Sequence, residues 1–417
     1  MKVLLENIKE LVQVENRPVA FRAGKEMTKV ATLKNAFVII RDELIEDFGT
    51  MKELKKKYRD DDMLIEIDCS NRLVYPSYCD SHTHLVFPEP REKEFVDRIN
   101  GLSYEAIAER GGGILNSAEK LHDLSAEALY NDAMCRIIEI MKQGTGAVEI
   151  KSGYGLTVED ELKMLRVIHW IRETAPICVR STFLGAHAIP EAYKTNPSAY
   201  VDLIIDEMIP QVAAEKLADY IDVFCDRGYF SVEDTERILT AGKKYGLRPK
   251  IHANELGLTG GVQVGVKHHA LSVDHLEYME DAEIAALKHS KTMPTVLPGA
   301  AFFLGMKRSP VRKMIDAGLP VALASDYNPG SSPSGNMNLI SSMGCINYNM
   351  LPEEVINATT INSAYAMGIQ HSYGSIARGK VANLFITQEI PGIEYLPYAF
   401  GSNLIETVIL NGEVQSF

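Results

Sequence analysis

The chain has 417 residues, 46% hydrophobic and 24% charged, the balance of an ordinary globular enzyme built as one large unit with an appendage. Its 43 basic and 56 acidic side chains leave a formal charge of −13, which argues against nonspecific nucleic-acid binding because phosphates need a positive field, yet leaves room for a small anionic substrate. No run approaches the roughly 18 apolar residues of a membrane span, "MKVLLENIKELVQVENRP" lacks the apolar core of a signal peptide, and the six scattered cysteines form no C-x-x-C pair, so a cytoplasmic chain with reduced thiols is expected.

In chain order, the first seventy or so residues read as strand pieces joined by charged turns, as in "NAFVIIRDELIEDFG". A run "RLVYPSYCDSH" follows and reads as one strand. Further candidate strands are "GAVEIKS", "ICVRSTFLGAH", "YIDVFCD", "RPKIHAN", "HALSVDHL", "TMPTVLPG" and "PVALASDY". Helical stretches lie between them. "VEDELKMLRVIHWIRETAP" places Leu162, Leu165, Ile168 and Ile171 at helical spacing. "SVEDTERILTAGKKYG" opens on Ser231 as N-cap, with Asp234 three residues on, and closes on Gly246. The last forty or so residues return to strands, "KVANLFIT" and "ETVILNGEVQSF", with a turn at Asn411-Gly412.

Strands that alternate with helices predict an α/β fold, a (β/α)8 TIM-like barrel. An open doubly wound sheet would carry a Gly-rich turn after its first strand; here that strand ends in histidines. Residues 74–373 are assigned to the barrel. Residues 1–73 and 374–417 are assigned to a small β-sandwich domain built from both chain ends.

Active-site groups of such barrels sit at the C-terminal ends of strands. Here those ends carry His82 and His84, His187, His252 with Glu255, His275, and Asp326. A lone histidine is more often a core or surface group, but five in register at strand ends form a pattern. His82, His84, His252 and Asp326 suit one Zn or Fe ion and leave a position for water. A second metal would need a bridging ligand on the fourth strand; "YIDVFCD" offers no lysine, and Lys151 lies on the second. His122, His169, His268, His269, His289 and His371 fall away from strand ends and receive no role. "RGGGIL" lacks the setting of a phosphate loop.

H-x-H on strand one, His on five and six and Asp on eight resemble the amidohydrolase superfamily. Within it, "DSHTHLVF", "REKEF", "GGGIL", "EIKSGYGL", "STFLGAHAIP", "KIHANE", "SVDHL", "DYNPGSS" and "LPYAFGSN" closely resemble the imidazolonepropionase family of histidine degradation. These stretches run through the whole barrel and into the C-terminal segment. Two places depart from the family pattern. "FPEPR" stands where a Gly pair is usual, in the loop that presents Arg91. Asn383 in "GKVANL" stands for Asp, and as part of the small sheet it is expected to leave the chemistry alone.

The resemblance implies hydrolysis of 4-imidazolone-5-propanoate to N-formimidoyl-L-glutamate, with one divalent or trivalent metal ion, and a homodimer. A guanidinium suits the propanoate, and Arg91 lies just past the metal-binding strand. Tyr154 between two glycines, Asn328, Gly330 and Ser331 in "DYNPGSS", and Tyr104 in "GLSYEAI" are the other expected substrate contacts. The loop 328–331 is expected to bond the carboxylate through backbone N–H groups and side chains. In the expected mechanism His275 helps the metal polarise the ring carbonyl, and Asp326 takes the proton of the attacking hydroxide's parent water. Asp326 or Glu255 returns a proton to the leaving nitrogen, while His187 and Glu255 hold the ring. Deamination of a purine, pyrimidine or similar ring is the alternative, since the same metal set serves it. A silent binding protein would need a broken ligand set, and all four ligands are present.

Overall fold

The computed structural model describes residues 2–57, 64–102, 106, 110 and 112–417. Two sheets organise it. The terminal sheet comprises β1 (Lys2–Val12), β2 (Thr32–Arg41), β3 (Leu44–Thr50), β4 (Leu64–Asp68) and β5 (Arg72–Pro76) from the N-terminal side. The barrel comprises β6 (Tyr78–Thr83), β7 (Thr145–Lys151), β8 (Cys178–Ala186), β9 (Tyr220–Cys225), β10 (Arg248–Pro249), β11 (Ile251–Ala253), β12 (Ser272–His275), β13 (Met293–Val296) and β14 (Ala322–Leu323). β15 (Leu384–Glu389), β16 (Ile405–Leu410) and β17 (Glu413–Val414) then return to the terminal sheet.

Barrel neighbours pair in parallel, in the order β14-β13-β12-β11-β9-β8-β7-β6, with β10 beside β9. β10 and β11 are two pieces of the fifth barrel strand, separated by Lys250. A bridge between Thr83 and Tyr327 joins the eighth strand to the first, reinforced by Asp326 N–H to His82 O at 3.0 Å and His84 N–H to Tyr327 O at 2.9 Å. The ring is thereby nearly closed. Every residue of β6, β7 and β9 is buried, as expected of parallel strands covered on both faces.

The helix Val158–Thr174 buries Leu162, Leu165, Ile168 and Ile171, the stripe its spacing predicted, and the Thr157 side chain caps it on Asp160 N–H. Ser231 caps Val232–Lys244 in a reciprocal box with Asp234. Among the described residues no helix is long and apolar enough to cross a membrane, and all six cysteines are free thiols.

The terminal strands form one eight-stranded sheet, β17-β16-β15-β5-β1-β2-β3, with β4 on β1. The sheet branches because β1 is long: Lys2–Glu6 pairs β4, while Glu10 and Leu11 pair β5. Residues of both arms share one apolar cluster, among them Val38, Ile40 and Phe48 with Leu384, Ile386 and Ile409. Asn411 and Gly412 both adopt positive φ and turn β16 into β17.

The run "RLVYPSYCDSH" is not one strand but two. Pro76 ends β5, Ser77 donates its N–H to Asn383 O at 2.9 Å, and Tyr78 begins the barrel. Its continuous apolar character reflects burial in two different sheets, which pattern cannot separate. Asn383 sits at this junction. Its amide donates to Gly146 O at 2.8 Å and accepts from Asn411 N–H at 2.7 Å, tying the last hairpin to the start of β7.

Candidate active site

The C-terminal ends of the barrel strands bring the expected donors together. His82 closes the alternation of β6, and His84 follows on the same side. The Nε2 atoms of His84 and His82 lie 3.3 Å apart, as do those of His252 and His84. Asp326 Oδ1 lies 3.6 Å from His82 Nε2 and 3.7 Å from His84 Nε2. Ligands about 2.0–2.1 Å from a tetrahedral zinc are separated by roughly 3.3–3.4 Å, so these residues fit a first-row divalent ion. His82, His84 and Asp326 form one group of close donors, His84, His187 and His252 a second, and His82, His252 and His275 a third. All are buried, and burial pushes His82, His84 and His275 well below the usual imidazole range, leaving them neutral and fit to ligate.

Carboxylates behind the imidazoles orient them. His82 Nδ1 is 2.7 Å from Asp274 Oδ2, and His252 Nδ1 is 3.0 Å from Asp222 Oδ2. A proton held at His82 Nδ1 by Asp274 leaves Nε2 with its lone pair towards the donor cluster, and Asp222 stands at the same atom of His252.

The donors floor a cavity of about 430 Å³ whose wall includes Arg91, Tyr154, His187, Glu255 and Ser331. Arg91 is the cationic anchor. Its side chain is 8% exposed, and Nε and Nη1 are buried without a hydrogen-bond partner among the described residues; Glu94 Oε2 stands 3.7 Å from Nε. A buried guanidinium with free donors is costly unless an anion completes it. The "FPEPR" loop delivers Arg91 to this wall. Arg136 lies over the Phe87 ring at 3.4 Å and donates to Leu85 O and Phe87 O, which fixes the segment without a glycine pair.

The loop after Asp326 is ordered from within. Asn328 Oδ1 accepts from Gly330 N–H and Ser331 N–H, both at 2.8 Å, and its amide donates to Asp326 O at 2.6 Å. Those two N–H groups are therefore already satisfied, contrary to the expectation that they bond a substrate carboxylate. The loop seats other groups instead. Ser331 Oγ donates to Asp326 Oδ2 at 3.2 Å, and a Cβ on Gly330 would fall 1.2 Å from Arg91 Nη2, so only glycine lets the guanidinium lie flat there.

Tyr154 and His187 form another part of the wall. Glu161 Oε1 accepts from Gly153, Gly155 and Leu156 N–H and holds the loop that presents Tyr154. His187 Nδ1 donates to Gly153 O at 2.9 Å, so its Nε2 is the acceptor, and the ring stacks on His84 at 5.0 Å. Gly153 has φ +110°, and a Cβ there would come 2.8 Å from His187 Nδ1.

An acidic group surrounds His275. Its Nδ1 is 3.6 Å from Glu255 Oε2 and 3.8 Å from Glu277 Oε2. Burial, then repulsion from Asp326 and Asp226, raises Glu255 well above the carboxylate range; burial and Glu255 do the same for Glu277. Burial pushes Asp326 up to about 8, against hydrogen bonds from Asn328 and Ser331; a cation at Oδ1 acts in the opposite direction. His275, Leu276 and Asp326 all have positive φ, 82°, 69° and 56°. Such backbone is costly for non-glycine residues and persists where surrounding structure enforces it.

Of the residues singled out from sequence, His82, His84, Arg91, Tyr154, His187, His252, Glu255, His275, Asp326, Asn328, Gly330 and Ser331 converge on this cavity or its floor. Tyr104 lies outside the described residues. Sequence reading missed Asp222, Asp226, Asp274, Glu161 and Glu277. Asp226 accepts from Glu255 N–H at 2.7 Å and Leu256 N–H at 3.0 Å, fixing the Glu255 loop. For Asp222 and Asp274 the available signal was an acidic residue inside an otherwise apolar strand, as in "YIDVFCD" and "SVDHLE".

Comparison with known proteins agrees with this geometry. A family model described as the amidohydrolase family matches residues 73–414. The chain is 56% identical over 414 residues to a protein named imidazolonepropionase from Christiangramia forsetii, covering 99% of this chain and 100% of that one. A protein of the same name from Flavobacterium johnsoniae is 55% identical over 414 residues, with the same coverage. Among solved structures, E. coli guanine deaminase superposes with a TM-score of 0.73 at 13% identity, covering 100% of this chain and 99% of that one; a likeness at that identity speaks for the fold alone.

Proposed function

The chain belongs to the amidohydrolase family and, within it, to the imidazolonepropionases; from that premise we propose how its site works. The reaction opens the cyclic amide C–N bond of 4-imidazolone-5-propanoate with water and yields N-formimidoyl-L-glutamate in histidine degradation. The observation that carries the assignment of the site is Arg91: a buried guanidinium with two nitrogens unpartnered among the described residues, on the wall of the cavity floored by the imidazole cluster. A substrate with an anionic tail and a hydrolysable ring fits both ends.

His82, His84 and His252 through Nε2, and Asp326 through Oδ1, would hold a single zinc or iron ion. Such an ion supplies positive charge that acidifies a water and polarises a carbonyl. Arg91 binds the propanoate by charge-assisted hydrogen bonds. His187, its Nδ1–H committed to Gly153 O, offers Nε2 as acceptor to a ring N–H. Tyr154 packs beside it and limits how the ring can tilt. Asn328, Gly330 and Ser331 shape the wall and steady Arg91 and Asp326.

Asp326 takes the proton of the attacking water. Burial and Asp326 raise Glu255 well above the carboxylate range, and it delivers a proton to the ring nitrogen as the C–N bond breaks. His275, on the lining of the cavity, steadies negative charge on the carbonyl oxygen. We place the enzyme in the cytoplasm, where its free thiols stay reduced.

The test is direct. Purified, zinc- or iron-loaded protein is mixed with 4-imidazolone-5-propanoate, and loss of its absorbance is followed with formation of N-formimidoyl-L-glutamate. Turnover is expected. Inertness towards this substrate together with ammonia release from a nucleobase would overturn the proposal.

A further inference from the structure

Below the imidazole cluster, the barrel interior carries charge where such barrels usually carry branched aliphatic side chains. Glu149, Lys151, Asp222, Lys250 and Asp274 are all at most 1% exposed. They converge from β7, β9, the residue between β10 and β11, and β12. Lys151 Nζ donates to Glu149 Oε1 at 2.6 Å and to Asp222 Oδ2 at 2.8 Å, and lies 3.8 Å from Asp274 Oδ2. The same two aspartate oxygens meet the metal-site imidazoles: Asp222 Oδ2 at His252 Nδ1, 3.0 Å, and Asp274 Oδ2 at His82 Nδ1, 2.7 Å.

We infer that Lys151 is a positioning residue of the metal site, an ammonium that holds Asp222, the carboxylate at His252, and stands beside Asp274, the carboxylate at His82. The inference rests on the metal site proposed above. The carboxylate behind the fifth-strand ligand His252 thereby has its anchor on the second strand. Burial opposes a charge on Lys151, but Asp222, Glu149 and Asp274 outweigh it and keep the amine protonated. Stability alone is a weak reason to keep such a cluster, since desolvating buried ions offsets much of their attraction.

Lys250 supplies the contrast. It pairs with Glu149 Oε2, donates to Ser81 O at 3.0 Å and stands 3.9 Å from Asp274 Oδ2, much as Lys151 does at 3.8 Å, but no pairing with Asp222 accompanies it. Its hydrogen bonds hold backbone and Glu149; Lys151 alone of the two donates to Asp222, the carboxylate at His252.

Lys151→Met and Lys250→Met test this against a structural role. Zinc affinity is measured by competition with a chromophoric chelator, the visible spectrum is recorded on the cobalt(II)-loaded chains, and Tm is measured without metal. Lys151→Met is expected to lose about 10- to 100-fold in zinc affinity, the range for groups that orient ligands, and to shift the cobalt bands. Lys250→Met should lose Tm while keeping its affinity and spectrum near those of wild type. Wild-type zinc affinity in Lys151→Met, or equal losses in both variants, would overturn the inference. If Lys151→Met does not fold, Lys151→Met with Glu149→Gln removes one charge of each sign and carries the same expectation and the same reversal. Failure of the wild-type chain itself to bind zinc would overturn the metal site and this inference with it.

Discussion

Arg91→Ala isolates the anion site from the chemistry. The guanidinium is buried, and two of its nitrogens lack a hydrogen-bond partner among the described residues. Glu94, 3.7 Å away, is too distant for a hydrogen bond and is engaged by Gly113 N–H and Asn116. A carboxylate arriving there gains charge-assisted bonds worth about 1.5–3 kcal/mol. At about 1.4 kcal/mol per decade, their loss raises KM about 10- to 150-fold. The bond is made equally in the ground and transition states, because the propanoate is remote from the breaking C–N bond, so kcat should change far less than KM. Steady-state kinetics on the imidazolone absorbance, with metal content measured on the same preparation, reads both numbers. The methyl ester of the substrate closes the cycle, since it lacks the negative charge. Wild type and Arg91→Ala should differ much less on the ester than on the acid. An unchanged KM for the acid, or an equal penalty on acid and ester, would refute the assignment of Arg91 to the carboxylate.

Gly330→Ala should raise KM in the same direction with the arginine still present, because the new Cβ falls 1.2 Å from Nη2; steady-state kinetics together with unchanged metal content would identify displacement of Arg91 as the cause. Asp326→Asn keeps the size of the side chain but removes a base, and kcat should fall by at least about 10²–10⁴-fold; near wild-type kcat in a metal-replete preparation would move the base to Glu255 or His275. His252→Ala should lose activity and most bound metal while circular dichroism still reports a folded barrel, since rim residues serve function more than packing; metal content by elemental analysis decides it. Treatment of the wild-type chain with a chelator should abolish turnover, and re-addition of zinc or iron should restore it.

Much of the site was legible because it follows from local periodicity. His82 and His84 share a face through the i, i+2 rule, and the rule that barrels work at strand ends collects His187, His252, His275 and Asp326. The helix at Val158–Thr174, the Ser231 cap and the Asn411-Gly412 turn were readable for the same reason: each depends on neighbours within a few residues. The loop 328–331 shows where local reading stops. Its composition marks a turn, but not that Asn328 Oδ1 takes both of the N–H groups a substrate would have used.

The amino-acid sequence by itself determined the barrel, the rim donors and the capped helices, since strand and helix periods and end signals are short-range. Only the tertiary structure decided the rest. Lys151 and Asp222 stand 71 positions apart, and His82 and Asp274 stand 192 apart. Each reads as an ordinary polar residue in an apolar strand until the ring closes and turns both inward. The split of "RLVYPSYCDSH" at Ser77 was likewise decided by which sheet each half could pair with. Long-range pairing and burial select partners across the whole chain, and no window of neighbouring residues contains that choice.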